Sequence, residues 1–179
     1  AGEIGHMKVN WSDDARVCTC GARGCFEEYA SARAIIRMAR EAIFDARDRM
    51  TTSVLTEIDP QVIKPEDVVN AIKRQDPLGI QLAEKIAGAL AVGVSNIANF
   101  LNPEAIVLGG GIINGFYDFD FFNGLFAAKF RELTLESCGN TSLLLSSFGD
   151  DNPLFGAASL VPLPIGGKKD SEYMEKSIM

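Results

Sequence analysis

The stretch LNPEAIVLGGGII, residues 101–113, changes character three times along its length. Asn102–Pro103 stops the preceding helix, because proline lacks an amide proton and pushes its predecessor out of the helical region. Ala105–Leu108 is an apolar run of strand length, read as a short buried strand, and Gly109, Gly110 and Gly111 end it. The flanks continue the pattern. Upstream, Pro77–Leu101 reads as a long helix, apolar nearly all round and central to the core. Ala87, Ala91, Ser95 and Ala98, with Gly88 and Gly93 nearby, make one side narrow. Glycine costs a helix about 1 kcal/mol relative to alanine, so two in one helix point to an element packed unusually close. Downstream, Phe116 opens another helix with Phe119, Phe122, Phe126, Phe130 and Leu133 on its apolar side. SLLLSSF (142–148) is a second strand, and GDDNP leads from it into a final helix, LFGAASLV. This alternation predicts an α/β layered fold with a mostly parallel sheet.

Further out, residues 27–50 predict one helix with Tyr29, Ala32, Ile36, Ala39, Ile43, Ala46 and Met50 as its apolar stripe. Arg33, Arg37, Arg40 and Arg47 fall on the other faces and read as a solvated basic surface. Residues 51–64 are a loop, and KPEDVVNAIKRQ is a short helix begun by Pro65 and two acids. The tail PIGGKKDSEYMEKSIM, residues 164–179, is polar and expected to be disordered, leaving one domain over 1–163.

With 179 residues, 47% of them hydrophobic, the chain can bury a real core. A net charge of −7 would repel a phosphodiester backbone, which argues against nucleic-acid binding by this segment. No run of 18 apolar residues free of polar interruption and no signal-peptide pattern is visible, so the expectation is a cytoplasmic protein without a membrane span. The chain begins AGEIGHM, without an initiator methionine, and is expected to be part of a longer protein.

Residues 6–25, HMKVNWSDDARVCTCGARGC, hold the only histidine and three of the four cysteines. His6, Cys18, Cys20 and Cys25 make a tetrahedral set of the ligands zinc prefers in a closed structural site. Gly21 and Gly24 allow the turns that a loop around an ion requires. Disulfides are the alternative, but Cys18 and Cys20 are too close to pair comfortably and Cys138 lies elsewhere. Closing the loop on one ion would carry Glu3 and Glu27 into its neighbourhood, where two carboxylates and an imidazole edge suit a polyhydroxylated ligand. Glu3 as a surface charge and Glu27 as a helix-start acid remain the plainer alternatives. Likewise Gly109–Gly111 can admit a nucleotide or be a tight turn with no ligand.

GEIGHM together with CTCGARGCFEEYAS resembles the paired signature of the ROK family of repressors, open reading frames and sugar kinases. LNPEAIVLGGGI and GDDNPLFGAASLV resemble its later landmarks, so the similarity runs to about Val161. The resemblance implies the C-terminal lobe of an actin-like, ribonuclease-H-like two-lobed fold. It implies zinc on His6, Cys18, Cys20 and Cys25, sugar hydroxyls on Glu3, His6 and Glu27, and an adenine nucleotide near Gly109, Gly110 and Gly111. The implied function is an ATP- and magnesium-dependent kinase, glucokinase-like, acting on the 6-hydroxyl of a hexose or N-acetylhexosamine. A homodimer contact usually lies in this lobe. The alternative is the sugar-sensing half of a ROK transcriptional repressor. Departures are plain: the D-x-G-G-T phosphate loop and the Asn-Asp pair that supplies the catalytic base have no counterpart, and WSDD lengthens the loop between His6 and Cys18. No catalytic residue is therefore assigned within these residues, and the chain alone is expected to be inactive.

Overall fold

The computed structural model describes residues 2–116 and 119–146, with Asp151, Leu154, Lys176 and Ser177 beyond them. Its elements are α1 (Glu27–Ala30), α2 (Ala32–Asp48), α3 (Pro65–Lys73), α4 (Pro77–Leu101), β1 (Ala105–Leu108), α5 (Gly111–Phe116), α6 (Asp120–Leu133), β2 (Ser142–Leu145) and β3 (Lys176–Ser177). The architecture is mixed α/β, with α4 at its centre against α1, α2, α3 and α6.

Local chemistry explains where α4 begins and ends. Asp76 caps its start, Oδ1 accepting from the amides of Leu78 (3.0 Å) and Gly79 (3.3 Å), and Pro77 occupies the first helical position. Asn102, at φ +44°, closes it in the left-handed conformation before Pro103. By length and composition α4 would also pass for a membrane span, but its apolar positions Leu82, Ile86, Leu90 and Val94 are buried in the core. The close approach along α4 occurs at Gly93, whose missing Cβ would lie 2.3 Å from Phe26 Cζ, and at Gly79, 2.6 Å from the Ala71 backbone. Gly88 meets only the Lys129 stem at ordinary contact distance.

The helix expected over 27–50 is broken at Ser31. That residue is extended (φ −91°, ψ 165°), and its hydroxyl accepts from the Ala34 amide to start α2 afresh. The buried stripe accordingly shifts to Ala34, Ile35, Met38, Ala39, Ala42, Ile43 and Ala46, with Ala32 and Met50 exposed. Arg33, Arg40 and Arg47 are exposed, as expected of a solvated face, but all four arginines are also engaged. Arg40 donates to the carbonyls of Pro60 and Gln61, and Arg47 to those of Thr56 and Ile58, so both fasten the 51–64 loop to α2. Arg33 and Arg37 turn to Glu28.

β1 and β2 pair in parallel, Ala105 opposite Ser142 through Leu108 opposite Leu145. β3 adds antiparallel to β2, Leu144 opposite Ser177; the remainder of the tail expected to be disordered lies outside the described residues, as do most of GDDNP and the final helix. β1 is not the buried strand expected. Ile106 and Leu108 pack on the core, whereas Ala105 and Val107 are exposed, so among the described residues only one face of this strand is covered. The three glycines also run straight into α5, which Phe116 ends; Phe116 stacks on Phe122 of α6 with ring centroids 3.9 Å apart. The next helix starts at Asp120.

Candidate functional site

Two short stretches are sewn together ahead of α1. Phe26 N donates to Met7 O (2.8 Å), Val9 N to Gly24 O (2.9 Å), and Gly24 N to Arg16 O (2.9 Å). Gly24, at φ +75°, is required: a Cβ there would sit 1.6 Å from Asn10 O. The result brings the donor atoms of His6, Cys18, Cys20 and Cys25 within 4.8 Å of one another. His6 Nδ1 is 3.6 Å from Cys18 Sγ, and Cys20 Sγ is 3.6 Å from Cys25 Sγ. Tetrahedral zinc with bonds of about 2.3 Å to sulfur separates its ligand atoms by about 3.8 Å. The donor set therefore fits such an ion in both chemistry and spacing, and the set could hold a metal.

Lys8, which the sequence reading passed over, places Nζ 3.0 Å from Cys25 Sγ. That hydrogen bond raises the lysine's pKa, with burial working against it. The same bond pulls the Cys25 thiol down, but burial and the neighbouring Cys20 and Cys18 outweigh it and leave the thiol above its ordinary value. Cys20 is lowered, first by the Ala22 amide and then by Cys18.

Glu3 and Glu27 flank the cluster in sequence. Glu3 leads into a 3-10 turn over Ile4–His6, its carbonyl accepting from His6 N, with its side chain exposed. Glu27 opens α1 and lies against Gly5, where a Cβ would be 3.6 Å from Glu27 Cβ. Glu27 and Gly5 of the Glu3–His6 turn are thus neighbours. Glu28, the next residue, was not singled out and is 2% exposed. Burial pushes its carboxyl up, but Arg37 at 2.7 Å and Arg33 at 2.8 Å outweigh that and hold it below the usual carboxylate range.

At the other end of the core, Gly109, Gly110 and Gly111 form the expected turn from β1 into α5. Gly110 has φ +98°, and among the described residues nothing lies within 4 Å of where side chains at Gly110 or Gly111 would begin. Beside the turn is a cleft of about 180 Å³ between α3 and α5, lined by Glu66, Val69, Asn70, Lys73, Gly111 and Gly115 among others. Its α3 wall carried no motif, and only the tertiary contact of α3 with α5 reveals it.

The fold matches part of solved ROK family proteins, kinases and a regulator alike. It superposes on a ROK family glucokinase from Streptomyces griseus, solved with glucose and AMPPNP, with a TM-score of 0.73 and 24% identity, over 88% of this chain and 50% of that one. A ROK family transcriptional regulator, a homolog of the E. coli MLC protein, gives a TM-score of 0.66 and 26% identity over 80% of this chain and 34% of its own. The ROK family model matches residues 1–163, and the chain belongs to the ROK family. Among curated relatives, a glucokinase of Halalkalibacterium halodurans is 36% identical over 63% of this chain and 33% of its own length. A xylose repressor of Caldicellulosiruptor bescii is 29% identical over 74% of this chain and 30% of its own. The chain thus spans about a third of the length of these relatives.

Proposed function

We propose that these residues form the C-terminal lobe of an ATP-dependent sugar kinase, glucokinase-like, that phosphorylates the 6-hydroxyl of a hexose or N-acetylhexosamine. The observation that carries this reading is the placement of Glu27 against the Glu3–His6 turn beside the His/Cys cluster. Two carboxylates and a ring N–H offer the acceptors and donor that a pair of sugar hydroxyls needs. Zinc, held by His6, Cys18, Cys20 and Cys25, would be structural, since four protein ligands leave no coordination position for substrate. The open turn at Gly109–Gly111 and its cleft suit an adenine nucleotide brought in with magnesium.

In the transfer, the 6-hydroxyl oxygen attacks the terminal phosphorus, the bond to the leaving ADP oxygen breaks, and the hydroxyl proton passes to a general base. We assign that base to a part of the enzyme outside these residues, which supply the sugar and nucleotide contacts. ATP dependence goes with a cytoplasmic setting, and a homodimer through this lobe belongs to the same reading.

The repressor relative and the solved regulator favour a second reading, a sugar sensor attached to a DNA-binding domain. A coupled ADP-release assay on the full-length protein with glucose, mannose and N-acetylated hexosamines separates the two. Sugar-dependent ADP release is expected. Sugar-dependent loss of DNA binding with no turnover would establish the repressor instead.

A further inference from the structure

Glu28 is a buried carboxylate that neither the metal set nor the sugar contacts use. Arg37 Nη1 donates to its Oε2 at 2.7 Å, and Arg33 Nη2 to its Oε1 at 2.8 Å. A single partner would already keep α1 on α2 and neutralise the charge. The second arginine does something more: the same Nη2 of Arg33 also reaches Glu27 Oε1 at 3.2 Å. Arg37, Glu28, Arg33 and Glu27 therefore form a line of alternating charge that runs through buried Glu28 and ends at the carboxylate beside Gly5. Glu27 is split by this line. Oε1 faces Arg33, while Oε2 lies toward the Glu3–His6 turn, 3.9 Å from the Cβ position of Gly5.

We propose that Arg33 is a positioning residue for sugar binding: anchored on buried Glu28, it holds Glu27 Oε1 so that Oε2 is aimed at the ligand's hydroxyls. This rests on the sugar reading of Glu27 given above. A glutamate half-exposed at a helix start samples several rotamers, and binding must select one. Arg33 makes that selection before the sugar arrives, lowering the ordering cost of binding. The role differs from that of Arg37, which among the described acids bonds Glu28 alone.

The test uses the full-length protein with zinc bound, titrated calorimetrically with glucose, for the parent, Arg33→Met, Arg33→Lys, Glu27→Gln and the double variant R33M/E27Q. Arg33→Met is expected to weaken binding about three- to tenfold, with zinc content, melting temperature and KM for ATP held. Arg33→Lys, keeping a charge within reach of Glu27, should recover part of the loss. Glu27→Gln should weaken binding further, and R33M should add nothing on that background, because the oriented carboxylate is gone. A merely structural Arg33 would instead give losses that multiply. Arg33→Met binding as tightly as the parent, or multiplying losses in R33M/E27Q, would overturn the positioning role alone. A parent protein that binds no sugar, or a Glu27→Gln variant indistinguishable from it, would overturn the sugar reading of Glu27 and this inference with it.

Discussion

Cys20 is the most exposed of the cluster's four donors, while Cys18 and Cys25 are buried. Replacing it removes a ligand without opening a hole in the core. Cys20→Ser should lose the metal and lower the melting temperature; about one zinc per chain by elemental analysis both before and after would refute the assignment. Glu3 has a comparably simple test, since its side chain is exposed and its fold contribution is a backbone one through His6 N. Glu3→Gln keeps the size and removes the charged acceptor. In the full-length protein it should weaken sugar binding about ten- to hundredfold, with zinc content and melting temperature unchanged. Unaltered affinity by calorimetry would rule the contact out.

At the scale of elements, the junction from the 51–64 loop through α3 to α4 converges on Asp76. Its carboxylate accepts from Ser53 Oγ (2.6 Å), from Val54 N (2.9 Å), and from the first amides of α4. Burial pushes this carboxyl up, and those hydrogen bonds outweigh it, leaving the pKa below the usual carboxylate range. A depressed native pKa adds stability that is present above the unfolded-state value and lost as pH falls through the native one. Asp76→Asn keeps a capping oxygen but loses charge and part of the acceptor capacity. It should cost about 1–2 kcal/mol near neutral pH, or roughly 3–6 °C in melting temperature. The gap from the parent should begin to close as pH falls below about 4, the ordinary aspartate value, and go on closing through the lower native pKa. A gap constant with pH would show that the carboxylate's charge does not matter. Arg40 and Arg47 act at the same scale, tying the preceding loop to α2 through carbonyls rather than through acids.

For the whole molecule, the two candidate sites lie in one chain that spans about a third of the length of the curated Halalkalibacterium halodurans glucokinase and Caldicellulosiruptor bescii xylose repressor it matches. A general base contributes typically 10²–10⁴-fold, and phosphate positioning adds more. We predict that the 179-residue chain alone releases no sugar-dependent ADP, whereas the full-length protein does. Turnover by the short chain at a rate near that of the full-length protein would place the base among these residues.

What the sequence by itself determined is local. The metal donors, the glycine turn, the stop at Asn102–Pro103 and the start at Pro65 depend on residue type and near neighbours, whose chemistry holds in any fold. The mixed α/β class followed from the alternation those signals punctuate. What only the tertiary structure decided depends on residues far apart in sequence. Ser31 interrupts a continuous helical pattern by capping α2 through the Ala34 amide, and the pairing of Glu28 with Arg37 and Arg33 across that break is something periodicity does not express. The arginines of α2 read as solvent-facing because their partners are mostly backbone carbonyls, which carry no mark in a sequence. Val107 looked buried because a short apolar run is the same whether one or both faces of a sheet are covered. The cleft beside Gly111 exists only because α3 packs against α5, and that is a property of the packing rather than of either segment.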